Sequence, residues 1–148
     1  MTRAFTLPSN ELAYFIGYTL IHADRVVLVS PWLSDVELRL PLGTEIDGRR
    51  LSLSDALKKL DTRVDVYIRE GESHNEYVLP KIEKKANVVK DENLHAKAIV
   101  TDEYVYLGSA NITRGGLLTN LELCQVIEND YGDVEAYLDA ELGLSSQR

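Results

Sequence analysis

Five side chains in the second half of this 148-residue chain have types and spacings suited to phosphate chemistry: His95, Lys97, Ser109, Asn111 and Glu122. They lie in "HAKAIVTDEYVYLGSANITRGGLLTNLE", residues 95–122. In extended backbone, residues two apart share a face, so His95 and Lys97 point together while Ala96 and Ala98 point the other way. Asp102 and Glu103 form a tight polar turn, and the chain returns through "YVYLGSAN". Gly108 removes a side chain there, and Ser109 and Asn111 are again two apart. A hairpin would bring imidazole, ammonium, hydroxyl and carboxamide onto one patch. Such a set is a donor-rich pocket for one phosphate group, with His95 as the candidate nucleophile or proton carrier near neutral pH.

The order "HAK", Asp102 after four residues, then "GSAN" resembles the signature of the phospholipase D superfamily. The likeness continues through "GSANITRGGLLTNLEL", as in nuclease-like members, and "VVLVSPWLS" is similar to the family's first core strand. The resemblance implies two-step phosphodiester chemistry through a phosphohistidine, with His95 as nucleophile or acid. Lys97, Ser109 and Asn111 would hold the non-bridging oxygens and offset charge in the transition state. Glu122 matches the acidic residue that accepts a hydrogen bond from the histidine and fixes its tautomer. Asp102 and Gly108 take structural roles in the motif. Five residues separate Asp102 from Gly108, where the common pattern has six, so the register of Ser109 against His95 is open at this point.

The implied mechanism needs two histidines about one phosphorus, and only one signature is present. His22 and His74 have no lysine two residues on and read as surface or helix-cap residues. A twofold homodimer with a composite active site supplies the second His95.

The elements that must position these groups alternate early and then become hairpins. Ser9 or Asn10 caps a helix through about His22, with Leu12, Phe15, Ile16, Leu20 and Ile21 apolar. "RVVLVS", residues 25–30, reads as a strand buried on both faces. "PWLSDVELRLPLGTEIDGRR" reads as loop, and Ser52 or Ser54 caps a short helix with Leu53, Ala56, Leu57 and Leu60 inward. "RVDVYIRE" alternates as a strand, a helix lies within 74–86 and starts or kinks at Pro80, and "NVVK", "HAKAIVT", "YVYLGS" and "LELCQVIE" are further strands. "YGDVEAYLDAEL" is a closing amphipathic helix. The expected fold is α/β, a mixed β-sheet flanked by helices on both faces in the phospholipase D/nuclease-like manner, with residues 1–148 as one domain.

Composition bounds the partners. Sixteen Lys and Arg against 24 Asp and Glu give a formal charge of −8, so the chain lacks the basic footprint of a protein that grips long nucleic acid. An anionic substrate must meet a local donor cluster, or be recruited by another protein. Trp32 at the site rim, Arg69 and Arg114 are the candidate substrate-binding residues, and Trp32 would stack on a base. Thr113 caps or turns the chain, with Gly115 and Gly116 permitting positive φ. No metal-ligand spacing and no phosphate-binding glycine loop appear, so no cofactor or metal is expected and activity should survive EDTA. Cys124 reads as a buried thiol. With no apolar stretch of membrane length and no leader after Met1, a cytoplasmic protein without membrane contact is expected. The reading is a metal-independent nuclease; the alternatives are an inactive binding or dimerisation module and a lipid phosphodiesterase.

Overall fold

The computed structural model describes residues 3–8, 11–40 and 50–144. Their strands form a seven-stranded mixed sheet in the order β1-β9-β8-β7-β2-β5-β6, and a two-stranded sheet β3-β4. The elements in chain order are β1 (Ala4–Thr6), α1 (Leu12–His22), β2 (Arg25–Val29), β3 (Glu37–Arg39), β4 (Arg50–Ser52), α2 (Leu53–Lys59) and β5 (Arg63–Arg69). A 3₁₀ turn at Ser73–Tyr77 leads into α3 (Leu79–Ile82), β6 (Ala86–Asp91), β7 (Ala98–Val100) and β8 (Tyr104–Gly108). A wide helical turn at Gly115–Thr119 precedes β9 (Cys124–Glu128) and α4 (Val134–Tyr137), which continues as another wide turn over Leu138–Leu142.

The β-branched run of β2 makes the centre of the molecule. It pairs parallel with β5 and antiparallel with β7, and so leaves neither edge open. Val26 and Leu28 enter the apolar cluster beneath α1, α2 and α3, while Val27 and Val29 enter the cluster covered by Val134, Tyr137 and Leu138. Helices therefore cover both faces, as expected. Strand β5 is buried on both faces rather than alternating. Its Asp65, 2 % exposed, accepts from Arg25 Nε at 2.9 Å and Nη2 at 2.6 Å, and Arg25 also donates to Glu135 of α4. A buried carboxylate is retained here because it is paired.

Several expected boundaries move. The "loop" after Trp32 contains β3, because Val36, Leu38 and Leu40 are buried at alternate positions; residues 41–49 lie outside the described residues. The N-terminal lead forms β1, an edge strand antiparallel to β9. Ser52 caps α2 by accepting the Asp55 N–H at 3.2 Å, whereas the Ser9 and Asn10 caps lie outside the described residues. The expected 74–86 helix is split, with Pro80 in the first turn of α3, where its missing N–H costs nothing. Pairing in β7 begins only at Ala98 and in β9 only at Cys124, so His95, Lys97 and Glu122 sit just ahead of strands.

Candidate active site

Strand directions bring the chemistry to one end of the sheet. Val29 at the end of β2 pairs with Ala98 at the start of β7, and Gly108 at the end of β8 pairs with Cys124 at the start of β9. Trp32 follows β2, Arg69 ends β5, His95 and Lys97 precede β7, Ser109 and Asn111 follow β8, and Glu122 precedes β9. The shortened return is absorbed in a tight hairpin closed by the Thr101 N–H to the Tyr104 carbonyl at 2.9 Å. Ala98 then faces Leu107, and the ladder runs in register to the edge of the site.

His95 is exposed between two anchored residues, Leu94 and Ala96, both in the second apolar cluster. Arg69 is engaged in holding this segment: its Nε donates to the Leu94 carbonyl at 2.9 Å and its Nη1 meets Glu72 at 3.1 Å. Lys97 Nζ donates to the His95 carbonyl at 3.2 Å. Asp102 receives the Val134 N–H at 3.0 Å, tying the hairpin turn to the start of α4.

The turn after β8 is built around the Tyr106 hydroxyl, which accepts the Ala110 N–H at 3.1 Å and donates to the Ala110 carbonyl at 3.2 Å. Burial pushes the tyrosine hydroxyl and the neighbouring Cys124 thiol up from their ordinary pKa values. Gly108 passes so close to β9 that a Cβ there would lie 2.2 Å from the Leu123 carbonyl oxygen. Ser109 is exposed; its hydroxyl donates to Glu122 at 2.7 Å and accepts the Leu123 N–H at 2.9 Å. Among the described residues the bond that Glu122 makes is to Ser109, a partner the sequence pattern did not suggest. Ser109 is held beside Glu122 because Ser109 and Leu123 also exchange backbone and side-chain bonds.

Asn111 is fixed from the other side of the sheet. Its Oδ1 accepts the Trp32 N–H at 3.2 Å, which identifies the oxygen end of the amide. Ser30 Oγ donates to the Trp32 carbonyl and accepts the Ile112 N–H at 2.9 Å. Asn75, 1 % exposed, accepts the Leu33 N–H and donates to the Pro31 carbonyl, both at 2.8 Å. Gly115 and Gly116 do not have positive φ, contrary to expectation. Gly116 is needed for clearance, since a Cβ would stand 2.1 Å from the Asn111 carbonyl oxygen. Thr113 Oγ1 accepts the Gly116 N–H at 3.1 Å.

Asn111 and Glu122 line a cavity of about 290 Å³ together with Trp32, Arg114, Asn120 and His74. The sequence reading missed His74 as a member of this site. It lies forty residues from its hydrogen-bond partner Ser34, and no local spacing links the two. Ser30 and Asn75 were missed for the same reason, whereas Tyr106 was missed although its partner Ala110 is only four residues away. Among the described residues no group of three or more His, Cys, Asp or Glu is placed to hold a metal ion. Among the described residues no helix is long and apolar enough to cross a membrane.

A family profile described as "Cardiolipin synthase, PLD-like domain" matches residues 32–142, three quarters of the chain. The chain belongs to the phospholipase D superfamily. Members of this superfamily are phosphodiesterases. The fold agrees. Nuc from Salmonella typhimurium, a phospholipase D family member, superposes with a TM-score of 0.67 at 18% identity, covering 94% of this chain and 90% of its own. NucT from Helicobacter pylori gives 0.61 at 18% identity over 97% and 92%. Phosphatidylserine synthase of Haemophilus influenzae gives 0.58 at 14% identity, covering 96% of this chain and 38% of its own. No curated protein sequence gives a significant match.

Proposed function

We propose that this protein is a metal-independent nuclease of the phospholipase D superfamily, acting as one domain over residues 1–148 in a cytoplasmic homodimer. The observation that supports this reading is that the strand ends put the His95–Lys97 segment, the Ser109–Asn111 turn and Glu122 at the same end of the sheet. In the first step a ring nitrogen of His95 attacks phosphorus, forming an N–P bond as the P–O bond to the leaving group breaks. The same histidine of a second copy protonates the leaving oxygen, then removes a proton from water. That water attacks the phosphohistidine, releasing His95 and a phosphate monoester. Lys97 and the Asn111 Nδ2 group stabilise the charge on the non-bridging oxygens, which in a metal-free site falls to fixed donors. Glu122, by accepting from Ser109 Oγ, orients that hydroxyl and the turn that bears it.

Wild type and His95→Ala are incubated in EDTA with labelled single- and double-stranded DNA, RNA, lipid vesicles and a generic phosphodiester. Nucleic-acid cleavage by wild type, reduced at least about 10³-fold in the variant, is the expected result. Strict dependence on a divalent metal, or equal cleavage by both proteins, overturns the reading. The formal charge of −8 favours a second reading, a catalytically weak binding module recruited by another protein; it predicts binding without turnover in every arm.

A further inference from the structure

One wall of the cavity beside Asn111 is built from two rings, and neither is needed for the phosphoryl transfer proposed above. Trp32 and His74 stack with ring centroids 5.5 Å apart and planes inclined by 21°. The pair is held at several points. His74 Nε2 is 2.7 Å from Ser34 Oγ. The backbone of Trp32 is bonded on one side to Asn111, while its neighbours Pro31 and Leu33 are bonded to buried Asn75. Asn75 is the residue next to His74, so a single buried amide sets the loop that carries one ring beside the residue that carries the other. An indole fixed in this way and still 44 % exposed is unusual for a ring whose burial would be favourable. His74 covers one side of it, and the rest remains open to a planar partner.

Amide and guanidinium groups beside the wall supply donors for a phosphate attached to that partner. The same cavity is lined by Asn111, Asn120, Arg114 and Glu122, and it shares Ser34 and Arg114 with a larger cleft of about 530 Å³, in which Arg50 is paired with Glu37 and Arg39 with Glu11. A substrate held at Asn111 by its phosphate therefore has an aromatic surface and the Arg114 side chain within the same cavity.

We infer that the Trp32–His74 stack is a base-binding platform, and that the substrate is single-stranded nucleic acid with an unstacked base beside the scissile phosphate. The inference rests on the nuclease reading and deepens it. A duplex keeps its bases stacked on each other, whereas a single strand offers a free ring face to the indole. Stacking of this kind tolerates any base, so the platform selects strand form and not sequence.

Trp32 is the only tryptophan in the chain, so its fluorescence reports on this wall alone. His95→Ala protein at low salt is titrated with a short oligothymidylate, with an abasic strand of equal length and charge, and with the corresponding duplex. The expected result is quenching by the oligothymidylate, with affinity roughly 5- to 100-fold higher than for the abasic strand or the duplex. Replacing His74 with Ala should weaken the oligothymidylate and leave the abasic strand at its lower affinity. Equal affinity for base-containing and abasic strands overturns the platform, even where wild type cleaves both and the nuclease reading stands. Base-dependent quenching by a protein that cleaves nothing supports the platform and sinks the nuclease reading instead. The comparison of strands is made on one protein, so it does not depend on how any platform variant folds.

Discussion

The Tyr106 hydroxyl controls the geometry of two proposed oxygen-holding residues without facing the cavity itself. It brackets Ala110, the residue between Ser109 and Asn111, through both the N–H and the carbonyl. Replacing Tyr106 with Phe leaves both backbone groups buried without that partner. The expected cost is about 1–3 kcal/mol of stability in urea unfolding, with a fall in kcat larger than any change in KM because the turn loses its fixed position. A fully stable variant with unchanged kcat would remove Tyr106 from any positioning role. At this scale the sequence was legible where chemistry and spacing coincide. His95, Lys97, Ser109 and Asn111 form a local pattern, and the hairpin register puts them at one end of the sheet. Glu122 was legible as a site residue but not in its partner, since its distance to a serine or an imidazole depends on how β9 is entered. Gly116 was read for its φ and turned out to be required for its missing side chain, a distinction that only the nearby Asn111 carbonyl reveals.

Elements buried on both faces were the easiest to read, because a continuous β-branched run such as β2 has few other uses. Strand β1 was invisible: its three residues are exposed, and pairing with β9 rather than burial defines it. Much of its attachment comes from Arg3, which donates to Glu128 through its backbone N–H at 3.1 Å, Nε at 3.0 Å and Nη2 at 2.8 Å. These bonds hold the Glu128 carboxyl down from its ordinary 4.5 to about 2. A depressed folded-state value means that the contribution is fully present above about pH 4.5 and is lost as the pH falls toward 2. Carbon-detected NMR titration of the Glu128 side chain should give a midpoint near 2 in wild type and a higher one in Arg3→Ala, which loses the guanidinium but keeps the backbone N–H bond. An ordinary midpoint in both proteins would show that this clasp does not persist in solution.

The whole molecule presents an acidic surface and, around its site, an apolar one. Leu118, Leu121 and Leu123 are exposed, and the last two flank Glu122. Covering them with a second copy would bring two sites face to face, as the proposed mechanism requires. Light scattering should therefore give twice the 16.6 kDa chain mass, and Leu121→Glu with Leu123→Glu should yield an inactive monomer. A wild-type monomer with full activity at micromolar concentration would refute the composite site. The clasp between the two halves of the site also sets when the site can exist. The Trp32 N–H and its Asn111 acceptor are 79 positions apart, and Ser30 and Ile112 are 82 apart. Closing loops of this length costs chain entropy that contacts between near neighbours do not. A chain emerging from the ribosome has its tryptophan long before it has the asparagine that seats it. Until residue 111 has been made, the chain therefore lacks the acceptor that seats the Trp32 backbone, and the two halves of the site cannot be joined.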